Sequence, residues 1–187
     1  MTDLFLPELL KTTNLDASGA MTLLGAEFEF EWYEAAILPT AKAFLKITTP
    51  PNKYTLVNFR EVRMDQTRGF YRQYRSTSFS GGTVTRTITP IKMRGDSAVP
   101  SGALLQVVTA PTITGAPFSE IPLWGAEGVG NRPQGGGLSQ TGAFRVIPPN
   151  QQILLEFTND STNPAAWYAY FKQFEVLPAT MLQLAEI

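Results

Sequence analysis

Two apolar runs near the end of the chain decide the fold: Gln151-Gln-Ile-Leu-Leu-Glu-Phe-Thr-Asn-Asp160 and Ala165-Ala-Trp-Tyr-Ala-Tyr-Phe-Lys-Gln-Phe-Glu-Val176. Both are rich in aliphatic and aromatic residues, which favour strands. Residues 159–164 between them read Asn-Asp-Ser-Thr-Asn-Pro, and such side chains bond their own backbone and favour turns. We therefore predict a β-hairpin over residues 151–176, with a loop slightly longer than the tightest kind.

The second run places aromatic side chains on both faces of its strand. Because side chains alternate between the faces of a strand, one face holds Trp167, Ala169 and Phe171, and the other holds Tyr168, Tyr170 and Phe174. We expect the core to cover the first face and another subunit to cover the second, which makes Tyr168, Tyr170 and Phe174 candidate interface residues. The alternative is a central strand of an ordinary sandwich, which would account for most of the same pattern.

Residues 26–33 show the clearest alternation in the chain, with Phe28, Phe30 and Trp32 set against Glu27, Glu29 and Glu31. This period of two predicts a strand with one buried face. The three glutamates are candidate interface residues on the other face, where we expect them to be solvated or to face arginine. A calcium site is the weaker alternative, because calcium takes oxygen ligands from several directions and these side chains point along parallel lines.

Composition favours many short strands. The 187-residue chain holds 14 prolines and 15 glycines, which leave little room for long helices. Further strands are expected at residues 41–49, 54–64, 102–109 and 140–147. We predict an all-β protein, an antiparallel jelly-roll-like β-sandwich with an N-terminal arm. The expected parts are the arm (1–24), the β-sandwich domain (25–177) and a C-terminal tail (178–187). Residues 110–140 are expected to form a long loop that is functional or ordered by a partner.

Two residue types that dominate catalytic and metal chemistry are missing. The chain has no histidine and no cysteine, which excludes disulfides, thiolate nucleophiles and every Ser-His or Cys-His arrangement. The glycine-rich segment 125–137 lacks the Lys-Ser/Thr ending of a phosphate-binding loop. The sequence contains no run of about 18 apolar residues, so no membrane span is predicted. The first residues lack the pattern of a secretory signal. We expect no cofactor, no metal and no enzymatic activity.

The charged residues are segregated along the chain. Residues 1–34 hold seven acids and one base, whereas residues 60–94 hold eight bases and two acids, in a chain of net charge −1. We expect these two blocks to meet, within the fold or across a subunit boundary. The arginines expected to contact the glutamate face of residues 27–31 are Arg60, Arg63, Arg68, Arg72 and Arg75. Aromatic residues lie among them, as in nucleic-acid grooves. A slightly acidic chain does not attract a polyanion as a whole, so a protein contact is favoured.

Six short motifs follow one another in the region from about residue 54 to residue 176. They are Arg68-Gly-Phe-Tyr71, Ser76-Thr-Ser-Phe-Ser-Gly-Gly-Thr83, Thr109-Ala-Pro-Thr-Ile-Thr-Gly115, a Gly/Asn/Arg-rich loop at 128–137, Pro149-Asn-Gln-Gln-Ile-Leu-Leu-Glu-Phe-Thr-Asn159 and Gln173-Phe-Glu175. Because these motifs occur in this order, the chain resembles phage virion proteins of the jelly-roll decoration or head-auxiliary type. None of the motifs is a catalytic signature, and the acidic N-terminal region falls outside the resemblance.

The resemblance implies a non-enzymatic structural subunit of a phage particle, which decorates or cements the capsid through protein–protein contacts. Its expected partners are the major capsid protein or other virion proteins, with no nucleic acid and no membrane. Its expected location is the virion, assembled in the host cytoplasm. We expect a homo-oligomer, and favour a trimer because trimers suit the local three-fold positions of icosahedral shells. The first alternative is a tail or receptor-binding subunit that recognises a host surface glycan or protein, and the second is a polysaccharide depolymerase.

Overall fold

A computed structural model of the chain describes residues 27–65, 68–92, 100–123 and 145–178, with residues 58–61 described by their backbone alone. The predicted arm (1–24) therefore lies outside the described residues, as does the predicted tail beyond residue 178. Within the described ranges, no helix is long and apolar enough to cross a membrane.

Strands make up nearly all of the regular structure in the described residues. Their bounds are β1 Glu27–Ile37, β2 Lys42–Thr48, β3 Tyr54–Met64, β4 Gly69–Arg75, β5 Phe79–Ser80, β6 Thr83–Ile88, β7 Ile91–Lys92, β8 Leu104–Thr109, β9 Thr112–Ile113, β10 Ser119–Leu123, β11 Arg145–Ile147, β12 Gln152–Asn159 and β13 Ala165–Val176. A 3-10 turn, Ser76–Ser78, separates β4 from β5. The prediction of an all-β protein is confirmed.

The strands form two large sheets and a small one. Sheet I has the strand order β11-β3-β13-β1-β7, sheet II has the order β10-β4-β12-β2-β8-β6, and sheet III pairs β5 with β9. The ladders between these strands are antiparallel. Sheets I and II pack face to face around one hydrophobic core, so the predicted antiparallel β-sandwich is confirmed. The chain changes sheet at each step from β1 to β4, and again at each step from β10 to β13.

The centre of the core is a group of aromatic rings from both sheets. Trp167 of sheet I has no exposed surface, and its ring stacks on Phe157 of sheet II at 4.2 Å between centroids. Tyr71 of sheet II stacks on the same indole at 5.8 Å, and Trp32 of sheet I meets it edge-on at 5.7 Å. Aromatic pairs of this kind contribute about 0.5–1.5 kcal/mol each beyond the area they bury. The contacts of Trp167 with Phe157 and Tyr71 tie sheet I to sheet II.

The predicted hairpin over residues 151–176 is wrong in its pairing, although both of its strands exist. β12 pairs with β2 and β4 in sheet II, whereas β13 pairs with β1 and β3 in sheet I. The turn between them forms as its composition predicts: Oδ1 of Asn159 accepts hydrogen bonds from the backbone N–H and the hydroxyl of Ser161, at 3.0 and 2.6 Å. The Asn159 amide also donates to the carbonyl of Ile37 at 2.7 Å. This turn carries the chain across the sandwich, so the two strands meet through side chains and not through backbone hydrogen bonds.

The other predicted strands are mostly found where the alternation places them. β1 buries Phe28, Phe30 and Trp32 as expected, and the predicted strands at 41–49 and 54–64 correspond to β2 and β3. The predicted loop at 110–140 is wrong for its described part, because that part contains β9 and β10. Pro122 lies within β10, at the edge of sheet II. An edge strand accepts proline because its outer side needs no N–H donor.

Candidate functional site

The outer face of sheet I carries a row of aromatic and charged side chains. Tyr33 of β1 lies opposite Tyr168 of β13, and Tyr168 lies opposite Arg63 of β3. Tyr33 is 51% exposed, Arg63 is exposed and Tyr168 is half-buried. We call these three residues the Tyr–Arg row; a shallow pocket of about 110 Å³ opens among them. Tyrosine and arginine are enriched at the centres of protein interfaces, so the row has the composition of a contact surface.

The three predicted glutamates lie on the same face of sheet I, and each has a partner within that sheet. Nζ of Lys172 forms ion pairs with Glu27 and, at 3.4 Å, with Glu29. Glu31 accepts a hydrogen bond from the Tyr168 hydroxyl at 3.0 Å. Glu27 is only 2% exposed, so of the two predicted environments, solvent or arginine, solvent does not hold for this residue. Cross-strand pairing places a lysine of β13 between the first two glutamates, because β13 is the neighbour of β1.

The acidic and basic blocks meet at one described ion pair, which joins Glu34 of β1 to Arg86 of β6 at 2.7 Å. The broad expectation of a contact between the blocks is therefore confirmed. The more specific expectation was that named arginines contact the glutamates of residues 27–31. Within the chain this is wrong for Arg68, which binds Asp160 at 2.7 Å. It is also wrong for Arg72, whose carboxylate partners lie in sheet II. The reason is topological: β4 belongs to sheet II and β1 to sheet I.

Arg72 is the centre of a charged network on the outer face of sheet II. Its Nη1 lies 2.9 Å from Oε1 of Glu156, and its Nε contacts Glu120. Glu156 also receives Nζ of Lys42 at 3.1 Å and the Thr158 hydroxyl at 2.7 Å. The Glu156 side chain has no exposed surface. A buried carboxylate needs such partners, since an unpaired buried charge is strongly destabilising.

The protonation states in this network follow from burial and hydrogen bonding together. Burial alone would raise the pKa of Glu156, but hydrogen bonds from Thr158, Arg72 and Lys42 outweigh it and hold the pKa below the usual value. Burial, reinforced by the adjacent Glu156 charge, raises the pKa of Tyr74 to about 12. A carboxylate that stays ionised at neutral pH with its acceptor sites occupied is suited to holding strands in place and not to proton transfer.

The remaining predicted interface residues have different environments. Tyr170 is half-buried and lies opposite Glu31 across the β1–β13 ladder. Phe174 is fully buried and packs with Leu56 and Val176, so it is not available at the surface for the predicted contact. The side chain of Arg60 lies outside the described residues.

A groove of about 630 Å³ opens where the edge of sheet I meets the edge of sheet II. Arg75 at the end of β4 and Arg145 at the start of β11 both place their guanidinium groups over the ring of Phe118, at 5.2 and 5.7 Å from its centroid. Gln151 and Gln152 form another part of the wall. Of these residues only Arg75 is a candidate from the sequence. Phe118 and Arg145 are not, because no spacing or alternation links two positions so far apart.

No protein-family model matches the chain, and no curated protein or solved structure gives a significant match. The function is therefore argued from the geometry of the Tyr–Arg row and the groove.

Proposed function

We propose that this protein is a non-enzymatic structural subunit of a phage particle, which decorates or cements the capsid through protein–protein contacts. The observation that carries the proposal is the Tyr–Arg row on the outer face of sheet I. Tyr33 is half-exposed, although such a large aromatic side chain usually contributes most when it is buried. The three residues lie on neighbouring paired strands, and an anchor on an ordered backbone loses less entropy when a partner covers it.

The strand order supports the jelly-roll part of the proposal. Eight strands alternate between the sheets in the way described above: β1 to β4 and β10 to β13. The first of them pairs with the last, β1 with β13, and the nesting continues inward through β2 with β12, β3 with β11 and β4 with β10. A long antiparallel hairpin folded over into two sheets has this nesting. Eight strands in two sheets are the jelly-roll arrangement, which occurs in viral capsid and lectin domains.

Further hypotheses follow from the same proposal. The partners are the major capsid protein or other virion proteins, the location is the virion, and the protein acts as a homo-oligomer, with a trimer favoured. The Tyr–Arg row also supports a contact with a neighbouring subunit, because such a contact needs both hydrogen-bond donors and acceptors. The row supplies them in Arg63 and in the Tyr33 hydroxyl, and the neighbouring Glu31 is exposed.

Electron microscopy of the phage particles with a gold-labelled antibody against this protein tests the proposal. We expect label over the capsid surface. Purified particles without label would refute the proposal, and label confined to the tail would favour the second candidate.

The second candidate is a tail or receptor-binding subunit. The groove between the edges of sheets I and II favours it, since a ligand site of some hundreds of Å³ that combines aromatic and polar groups is typical of recognition. A capsid subunit needs flat contact surfaces more than a groove. The same labelled particles decide between the two, because shell and tail are separate in the images.

A further inference from the structure

The groove between the two sheet edges is cationic although the chain is not. Its described lining includes Arg75 and Arg145 and no acidic residue, in a chain of net charge −1. Within the described ranges neither arginine forms an ion pair, whereas Arg68, Arg72 and Arg86 each do. Two guanidinium groups without a carboxylate partner in one concave site are an anion-binding arrangement.

The aromatic ring of Phe118 positions both cations. A guanidinium that lies over a ring keeps its N–H groups free at its edge, so the cation–π contact orients the group without using its donors. One further contact restrains Arg145, whose Nη2 lies 3.4 Å from the Ser119 hydroxyl. The groove therefore presents N–H groups to a ligand before the ligand arrives.

The backbone on both sides of the groove is fixed by hydrogen bonds. The backbone N–H of Phe118 donates to the carbonyl of Gln73 at 2.9 Å. On the opposite wall, the Thr49 hydroxyl donates to the carbonyl of Pro148 at 2.7 Å and accepts the backbone N–H of Gln151 at 2.9 Å. A site that is already ordered loses less entropy on binding.

One wall of the groove is β11, which is an edge strand among the described strands. Among the described strands, β11 pairs only with β3, as the edge strand of sheet I, and Val146 at its middle is 49% exposed. An extended peptide can add to such an edge through backbone hydrogen bonds, while pockets beside the edge select its side chains. Here the adjacent groups are the two arginines, which select carboxylates.

We propose that this groove binds an extended acidic segment of a partner protein, which pairs with β11 and places carboxylates on Arg75 and Arg145. An acidic sugar fits less well, because a sugar packs on an open aromatic face and guanidinium groups already lie over the Phe118 ring. A nucleic acid fits less well because the chain as a whole is slightly acidic. The inference goes beyond the structural role proposed above and does not depend on where the protein is located.

Fluorescence anisotropy with a labelled oligoglutamate peptide tests the inference on the full chain. We expect binding that weakens with added salt, and no binding of an oligoglutamine peptide of the same length. The double variant Arg75→Gln/Arg145→Gln should bind at least about tenfold more weakly, since each guanidinium supplies charge-assisted hydrogen bonds. The matched control is Arg68→Gln/Arg86→Gln, which makes the same change in net charge away from the groove and should bind as the wild type does.

Amide chemical shifts of the wild-type protein provide a second measurement that does not depend on the folding of any variant. Addition of oligoglutamate should shift the amides of residues 75–77, 118, 145–147 and 151–153. The inference is overturned if the shifts fall elsewhere or if the two double variants lose affinity equally. It is also overturned if oligogalacturonate or single-stranded DNA binds more tightly than oligoglutamate, or if none of the probes binds.

Discussion

Nη1 of Arg72 lies 2.9 Å from Oε1 of Glu156, a carboxylate without exposed surface. Glu120 of β10 holds the same guanidinium from the other side, and Lys42 of β2 reaches Glu156 at 3.1 Å. The four charged side chains therefore form a row across sheet II, with one on each of the neighbouring strands β10, β4, β12 and β2. A slip of one residue in any of the four strands would turn its charged side chain to the opposite face. We infer that the network fixes the register of sheet II more than it adds stability.

The substitution Glu156→Ala should destabilise the protein strongly, because it removes the buried carboxylate that pairs with Arg72 and Lys42. Breaking a buried pair usually costs about 3–5 kcal/mol, and we expect about 3 kcal/mol because Arg72 and Lys42 still reach solvent. Unfolding by urea gives the free energy. The matched control is Asp160→Ala, which removes the carboxylate of the exposed pair with Arg68 and should cost less than about 1 kcal/mol. Equal losses in the two variants would contradict this account of the network.

The same carboxylate predicts a loss of stability in acid. The folded-state pKa of Glu156 is below its ordinary value of 4.5, so its contribution to stability is present above pH 4.5 and is lost as the pH falls through the folded-state pKa. The variant Glu156→Gln cannot ionise at this position. Its unfolding free energy should fall less steeply than that of the wild type below pH 4.5. Thermal melts of both proteins over an acidic pH series measure this, and parallel curves would disprove it.

A second pH dependence is expected in alkali. The pKa of Tyr74 is raised from 10.0 to about 12, so the folded state keeps a proton that the unfolded state loses. The stabilisation is complete below pH 10.0 and is lost as the pH rises toward 12. The substitution Tyr74→Phe removes this titration and should make the unfolding free energy less dependent on pH in that range. If the variant and the wild type lose stability in parallel there, Tyr74 does not contribute in this way.

Glu175 should be a second buried carboxylate that the fold requires. It is 4% exposed, and Oε1 accepts the backbone N–H of Gly102 at 2.8 Å and that of Ala103 at 3.1 Å. The substitution Glu175→Ala leaves the Gly102 N–H without its acceptor, whereas the Ala103 N–H keeps the Ser101 hydroxyl at 3.1 Å, so we expect a loss of about 2 kcal/mol. Glu31→Ala, at an exposed glutamate of the same sheet, is the control and should cost less than about 1 kcal/mol. Urea unfolding checks both; a small effect at Glu175 would mean that water satisfies these groups.

Alternation in the sequence predicts strands well and their partners poorly. The period of two at residues 26–33 is a property of neighbouring residues, and it locates β1 because one face of that strand is buried. Which strand lies beside β12 depends on the path of the whole chain. The turn residues 159–164 fit a hairpin and a crossing between sheets equally well, so the predicted pairing of β12 with β13 fails.

The residues of the candidate site also fall into those that the sequence predicts and those that it does not. Tyr168 follows from aromatic residues on both faces of one strand, and the glutamates follow from their alternation, so both could be predicted. The groove could not be predicted from the sequence, because Arg75, Phe118 and Arg145 come from three separate parts of the chain. Pro117 and Pro122 also make the region around Phe118 look like a loop, although an edge strand accepts Pro122.

Binding of the purified protein to phage shells that lack it tests the proposed function most directly. We expect the wild-type protein to sediment with the shells to saturation. The variant Tyr33→Ala/Tyr168→Ala should bind at least about tenfold more weakly, since truncated aromatic anchors cost about 2 kcal/mol or more at interface centres. Its melting temperature should remain close to that of the control Arg68→Gln, which removes an exposed arginine paired with Asp160 and should bind normally. Failure of the wild-type protein to bind shells, or equal binding by the double tyrosine variant, would contradict the proposed role of the Tyr–Arg row.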